Sequence, residues 1–177
     1  MKDYRLILIV GKTGTGKTTF IRNLLKDKGY LVLDYSNSWH DVEEIKKIED
    51  IVKYKNKEKK RITQALLGPY EKEVIREVKR LRNINLIMED ADIYINPWNK
   101  KIYNDFFYGY RHLKQNVFVI THSYRDTIRK VIRTADFYVI FEIPEDDKYR
   151  LSGQKYKPLI LTREEFEILS RKRKLKI

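Results

Sequence analysis

The sequence predicts an α/β fold, a three-layer sandwich whose mostly parallel sheet carries helices on both faces. Three observations point there. Segment 5–10 reads Arg-Leu-Ile-Leu-Ile-Val, apolar without alternation, which is the pattern of a strand buried on both faces. A glycine-rich loop follows directly, from Gly11 to Thr18. A helical pattern over 17–28 then leads to a second apolar run at 30–34. Strand, glycine loop, helix, strand is the opening of a nucleotide-binding α/β domain.

The remaining elements continue the alternation. In the first helix Phe20, Ile21, Leu24 and Leu25 share one face, and Gly29 supplies a stop. Segment 41–61 is rich in Lys and Glu, with a thin stripe of Ile45, Ile48 and Val52, and reads as a peripheral or mobile insertion. Pro69 suits a helix start, and Val74, Ile75, Val78 and Leu81 form the inner face of a helix reaching about Arg82. The third strand is 84–88. The helix over 99–114 sets Ile102, Tyr103, Phe106, Phe107 and Tyr110 at helical spacing, a pattern of core or subunit contact rather than base stacking. A fourth strand at 117–120, a short helix at 124–133 and a fifth strand at 136–143 follow. A sixth strand at 156–161 and a capping pattern, Thr162 with Glu165, precede a basic tail at 171–177.

Length and composition limit the function classes. The 177 residues suit one domain over 1–177, and the absence of cysteine excludes disulfides and thiolate metal sites. No apolar run reaches the length of a membrane helix, so the expected setting is the cytoplasm, or a host's cytoplasm for a viral protein, with no membrane partner. The net charge of +13 fits a polyanionic partner and equally a charge-rich surface of heat-adapted type. Charge alone does not choose between them.

The motifs do. Gly11-Lys12-Thr13-Gly14-Thr15-Gly16-Lys17-Thr18 fits the eight-residue phosphate-loop pattern in full, between a strand and a helix. Its backbone N–H groups, with Thr19 just behind them, are expected to cradle the phosphates of ATP. Lys17 reaches the β- and γ-phosphates, and the Thr18 hydroxyl ligates Mg²⁺. Such a site needs a carboxylate at the tip of a neighbouring strand, and Leu86-Ile-Met-Glu89-Asp90-Ala-Asp92 supplies it. Glu89 and Asp90 are the metal acids, Glu89 by position the magnesium acid and Asp90 the acid that orients water. His122, in Thr121-His122-Ser123, closes the fourth strand where a γ-phosphate sensor belongs. Arg111 and Arg133 precede the fourth and fifth strands and are candidate arginine fingers for a neighbouring subunit's nucleotide.

In this order the motifs resemble the HerA–FtsK superfamily of P-loop ATPases, and within it the compact genome-packaging ATPases of poxvirus-type and archaeal viruses. The resemblance rests on the phosphate loop, the acid motif at 86–92, Gly109-Tyr110-Arg111-His112 before the fourth strand, and Thr121 to Asp126 with Ile132-Arg133-Thr134-Ala135-Asp136. Two departures stand out: the acid pair is Glu-Asp where the family has Asp-Glu, and His122 replaces the usual sensor glutamine. The resemblance implies a sheet ordered 5-1-4-3-2, counting strands along the sequence. It also implies a homo-oligomeric ring, a hexamer, and ATP-driven translocation of double-stranded DNA into a capsid, with a capsid or portal-like partner. The lack of an extra N-terminal barrel suits a minimal motor. The alternatives are a phage-type assembly or secretion ATPase, a small-molecule kinase and a nucleotide-gated DNA adaptor. For the DNA path the sequence offers two basic clusters, 53–61 and 171–176, and a loop carrying Trp98, Lys100 and Lys101.

Overall fold

The computed structural model describes residues 4–95, 100–123, 129–142, 159–162 and 164–165. Eight strands form one sheet: β1 (Leu6–Val10), β2 (Tyr30–Asp34), β3 (Glu43–Glu44), β4 (Lys59–Thr63), β5 (Ile84–Glu89), β6 (Gln115–Thr121), β7 (Phe137–Ile140) and β8 (Leu159–Thr162). The helices are α1 (Lys17–Leu24), α2 (Ile48–Ile51), α3 (Gln64–Val78), α4 (Ala91–Tyr94), α5 (Lys100–Gly109) and α6 (Arg129–Thr134).

The spatial order is β3-β4-β2-β5-β6-β1-β7-β8, and every pairing is parallel. Its central five strands, β7-β1-β6-β5-β2, have the expected 5-1-4-3-2 order; β4 and β3 extend one edge and β8 the other. The all-parallel pairing has a functional consequence: every loop that follows a strand lies at one edge of the sheet, and every loop that precedes one lies at the opposite edge.

The unbroken apolar runs explain the burial. All five β1 residues are fully buried, and each such side chain contributes roughly 1.5–3 kcal/mol on leaving water. One face of the sheet is covered by α3, α5 and α6, whose Val74, Ile75, Tyr103, Phe106, Phe107 and Val131 lie in a single core. The α5 aromatics are therefore core, as their spacing predicts. The other face is covered by Phe20, Ile21 and Leu25 of the α1 region and by Trp39 and Val42. No helix among the described residues is long and apolar enough to cross a membrane.

Two expectations are corrected. Segment 41–61, read as a peripheral or mobile insertion, is built into the sheet at its edge: β4 pairs along the whole length of β2, with Tyr30 opposite Lys59 and Asp34 opposite Thr63. Its Lys and Glu content hid the strand because Lys59 and Lys60 begin it, and only Arg61, Ile62 and Thr63 are buried. The helix expected to start at Pro69 starts at Gln64 and kinks at Tyr70 (φ −126°, ψ 29°). Leu66 and Leu67 are buried and draw the earlier turn onto the core, while the proline ring cannot sit under an unbroken helix. The basic tail lies outside the described residues, as does segment 124–128 of the expected short helix.

Candidate active site at the C-terminal edge of the sheet

β1 delivers Gly11 to the C-terminal edge, between β6 and β7. The Gly11 N–H donates to Thr121 O at 3.3 Å, and Lys12 N–H to Glu142 O at 2.8 Å. The glycines serve different needs. A Cβ on Gly11 would meet the Phe141 Cβ at 2.5 Å, so that position lacks space. Gly14 and Gly16 have open space, but their φ angles of 81° and 90° are left-handed, where any Cβ is strained. This winding leads into α1 with Gly16 as N-cap and no side chain capping the first turn, so its N–H groups remain to serve an anion. Thr19 is exposed on that first turn and Thr13 on the loop.

Lys17 is buried beneath the loop. Its Nζ donates to Gly11 O at 2.6 Å and Lys12 O at 3.0 Å, and lies 3.4 Å from His122 Nδ1. Burial lowers its pKa; the Asp90, Glu89 and Asp92 carboxylates act in the opposite direction. Thr15 Oγ1 closes the loop on Lys12 O at 2.8 Å.

The two acids separate into two neighbourhoods. Glu89, the last residue of β5, is 2% exposed. Its Oε1 accepts from Thr18 Oγ1 at 3.0 Å and its Oε2 from Trp39 Nε1 at 2.8 Å. Burial pushes its pKa up to about 7, against the pull of the Trp39 and Thr18 hydrogen bonds. Asp90 turns the chain with a left-handed backbone (φ 48°, ψ 47°), and its Oδ1 lies 2.9 Å from His122 Nε2.

His122 joins this acid to the phosphate loop. Its Nδ1 lies 3.2 Å from Thr13 Oγ1 as well as close to Lys17. An ammonium only donates, so Nδ1 is the accepting nitrogen and Nε2 carries the proton offered to Asp90. The His122 backbone N–H donates to Asp92 Oδ2 at 3.2 Å. Burial raises the Asp92 pKa, and Asp92 Oδ1 has no hydrogen-bond partner among the described residues.

Thus Lys17, Thr18, Glu89, Asp90 and His122 converge. Arg111 and Arg133 do not. Arg111 pairs with Asp136, stacks over the Tyr110 ring at 5.3 Å and sits before β6, at the opposite edge of the sheet. Arg133 is exposed in the last turn of α6, before β7, on that same side. Strand length puts both roughly 17–20 Å from their own chain's loop.

Three supports of the site were not read from sequence. Trp39 is fully buried, packs edge-on to Tyr30 at 5.4 Å and lies under the Arg22 guanidinium at 4.3 Å. Arg22, on α1, makes a two-pronged pair with Asp41 at 2.6 and 2.7 Å. Asp34 ends β2 opposite Glu89; it accepts from Ser38 N, Trp39 N and Arg61 Nη1 at 2.8, 3.0 and 3.1 Å. Asp34 was findable, since it ends a predicted strand at the loop edge. Nothing in the sequence points to Trp39, whose role depends on a contact fifty residues away.

The basic cluster at 53–61 does not form one surface. Arg61 is 9% exposed and pairs with Asp34, Lys60 pairs with Glu43, and Lys53 pairs with Asp50. Arg61 therefore belongs to the support of the site, not to a DNA path. Trp98 and the 171–176 cluster lie outside the described residues.

No protein-family model matches the chain, and no curated protein matches it by sequence. Solved structures do match by shape. The genome packaging NTPase B204 from Sulfolobus turreted icosahedral virus 2 in complex with AMPPCP superposes with a TM-score of 0.68 at 16% identity, over 86% of this chain and 82% of that one. Its sulfate complex gives 0.69 at 17% identity, over 97% and 86%. The cytoplasmic domain of EssC gives 0.56 at 14% identity, over 84% of this chain and 33% of that one. The chain has the P-loop NTPase α/β fold that these structures share.

Proposed function

We propose that this chain is an ATP-hydrolysing motor of the genome-packaging type, which assembles as a ring and translocates double-stranded DNA. The observation that carries the reading is the pairing of Thr18 with Glu89 at 3.0 Å beside a His122 that spans from the phosphate loop to Asp90. A simple nucleotide-binding adaptor has no need of that second acid and its histidine. The likeness in fold to B204 supports the packaging sense of the reading.

The donor set fits Mg²⁺. A hydroxyl and a carboxylate, both hard oxygen donors, meet next to the phosphate loop. Thr18 and Glu89 would hold the ion, which when bound offsets phosphate charge. The chain's own groups do the rest. The loop N–H groups and Lys17 bind the β- and γ-phosphates. Asp90, held by His122, orients the attacking water and accepts its proton. His122, touching Thr13 and Lys17 on one side and Asp90 on the other, makes the acid's position depend on what the loop holds. Arg111 or Arg133 completes the site of a neighbouring subunit, since neither reaches its own.

The test is ATP turnover with Mg²⁺ or with EDTA, with and without duplex DNA, across protein concentration. The reading expects metal-dependent turnover whose specific rate rises with protein concentration and again with DNA. A rate indifferent to both would point to a monomeric kinase-like enzyme, and no turnover at all to an adaptor.

A further inference from the structure

The parallel sheet sorts charge as well as loops. Four segments precede strands and lie at the N-terminal edge: 26–29, 55–59, 79–83 and 112–114, with Arg111 left to its pair with Asp136. Together they hold nine Lys and Arg against two Asp and Glu. At the other edge, segments 11–18, 34–41, 45–47, 89–95, 122–123 and 141–142 hold six Asp and Glu against four lysines. The four basic segments are one continuous surface. Lys59 Nζ donates to Lys26 O at 2.7 Å, Asn56 Nδ2 to Asn83 O at 3.4 Å, and Asn83 N–H to Lys114 O at 2.7 Å. Lys26, Lys57, Arg82 and Lys114 are exposed along it.

We propose that this edge is the surface on which the phosphate backbone of duplex DNA lies, away from the nucleotide site. The proposal rests on the DNA reading above and assigns that partner a place. Length supports it: from β4 through β2 and β5 to β6 the strip spans three strand spacings, roughly 14 Å, matching about four phosphates of one strand along the duplex axis. Composition supports it too. The four segments contain no Phe, Trp or Tyr, so they offer cations without a stacking platform, which suits a duplex backbone rather than unpaired bases. The edges also act independently. Strands of five to seven residues hold them roughly 17–23 Å apart, beyond a Debye length of about 8 Å at physiological salt. DNA at the basic edge therefore does not compete electrostatically with the triphosphate at the other.

The experiment uses the full chain and a fluorescent 30-base-pair duplex, with anisotropy followed across salt. The strip variant is Lys26→Gln, Lys57→Gln and Lys114→Asn, the asparagine chosen because residue 114 has a left-handed φ of 55°. The control variant removes the same charge elsewhere, at exposed Lys46, Lys47 and Lys72, each to Gln. Thermal melting and basal ATP turnover, which neither variant touches, confirm folding. The strip variant is expected to bind at least about tenfold more weakly at low salt, with a log–log salt slope shallower by about 2.7, while the control stays near wild type. Equal losses in both variants, or none in the strip variant while wild type binds, would overturn the placement and leave the DNA reading standing. A wild type that binds no duplex at any salt overturns both. Displacement of the duplex by polyglutamate at matched charge would transfer the strip to an acidic protein partner.

Discussion

The buried indole N–H of Trp39 donates to Glu89 Oε2 at 2.8 Å, leaving Oε1 turned to Thr18. A carboxylate at the tip of a strand can rotate about its last bonds; this one is held from behind. Trp39→Phe keeps the ring bulk and removes only the donor. Turnover should fall on the order of tenfold, as is typical when the support of a metal-binding group is lost, and half-maximal activity should require more Mg²⁺. Nucleotide binding without metal should be unchanged. A variant with wild-type magnesium dependence would reduce Trp39 to a packing residue. Trp39→Ala is expected to destabilise the fold itself by about 3–5 kcal/mol, which thermal melting would report.

Lys17→Ala should abolish turnover, because the β/γ charge loses its partner where charge develops in the transition state. The fold should survive, since the two carbonyls that Lys17 now engages can turn to water at the loop. Retained ATPase activity in this variant would end the P-loop reading.

Glu89 and Asp90 should fail differently. Asp90→Asn is expected to bind nucleotide and metal and to turn over poorly, whereas Glu89→Gln should lose its metal dependence. The reverse pattern in a metal titration would exchange their roles. Glu89 also makes a stability prediction. Its folded pKa is raised to about 7 from 4.5. Between those values the native state holds a proton that the unfolded chain has released, so metal-free stability falls as pH rises through that window. The loss is of order 3 kcal/mol once pH exceeds 7. Glu89→Gln should remove it, raising the melting temperature relative to wild type at pH 8 and leaving it nearly unchanged at pH 4. A constant difference across pH would contradict the burial argument.

Arg111→Ala should bind ATP normally and turn over slowly if Arg111 serves a neighbour's nucleotide. Its pair with Asp136 is 60% exposed on the arginine side, so the stability cost should be under about 1 kcal/mol. Mixing this variant with Lys17→Ala should restore part of the activity at mixed interfaces. Absence of rescue at every ratio, with assembly confirmed by light scattering, would pass the role to Arg133, tested the same way.

Sequence legibility followed the range of the interactions involved. The phosphate loop, the strand-end acids and the five central strands are local patterns, and each was readable. β4 was not, because a strand beginning with two lysines has no apolar run, and only pairing with β2 gives it away. The N-terminal extension of α3 was hidden by Pro69, a strong local signal overridden by the burial of Leu66 and Leu67. Within the site, the type of each residue was visible but the partners were not. That Asp92 holds the His122 backbone, that Asp34 and Arg61 brace the loop carrying Trp39, and that Arg61 is therefore unavailable to DNA are all facts of tertiary contact.

The left-handed turn at Asp90 suits the Glu-Asp order of the two acids. A residue with a φ of 48° is comfortable as Gly, Asn or Asp, whose side chains are absent or short enough to bond locally. The role proposed for Asp90 asks for a carboxylate at the same place, and of these three only Asp satisfies both demands. The longer acid is then confined to the preceding residue, in extended backbone, where its extra methylene lets it reach Thr18 and Trp39 together. Reach and backbone curvature are thus dealt out between neighbours. Combining Glu89→Asp with Asp90→Glu would shorten the arm that must stretch and strain the turn that must bend.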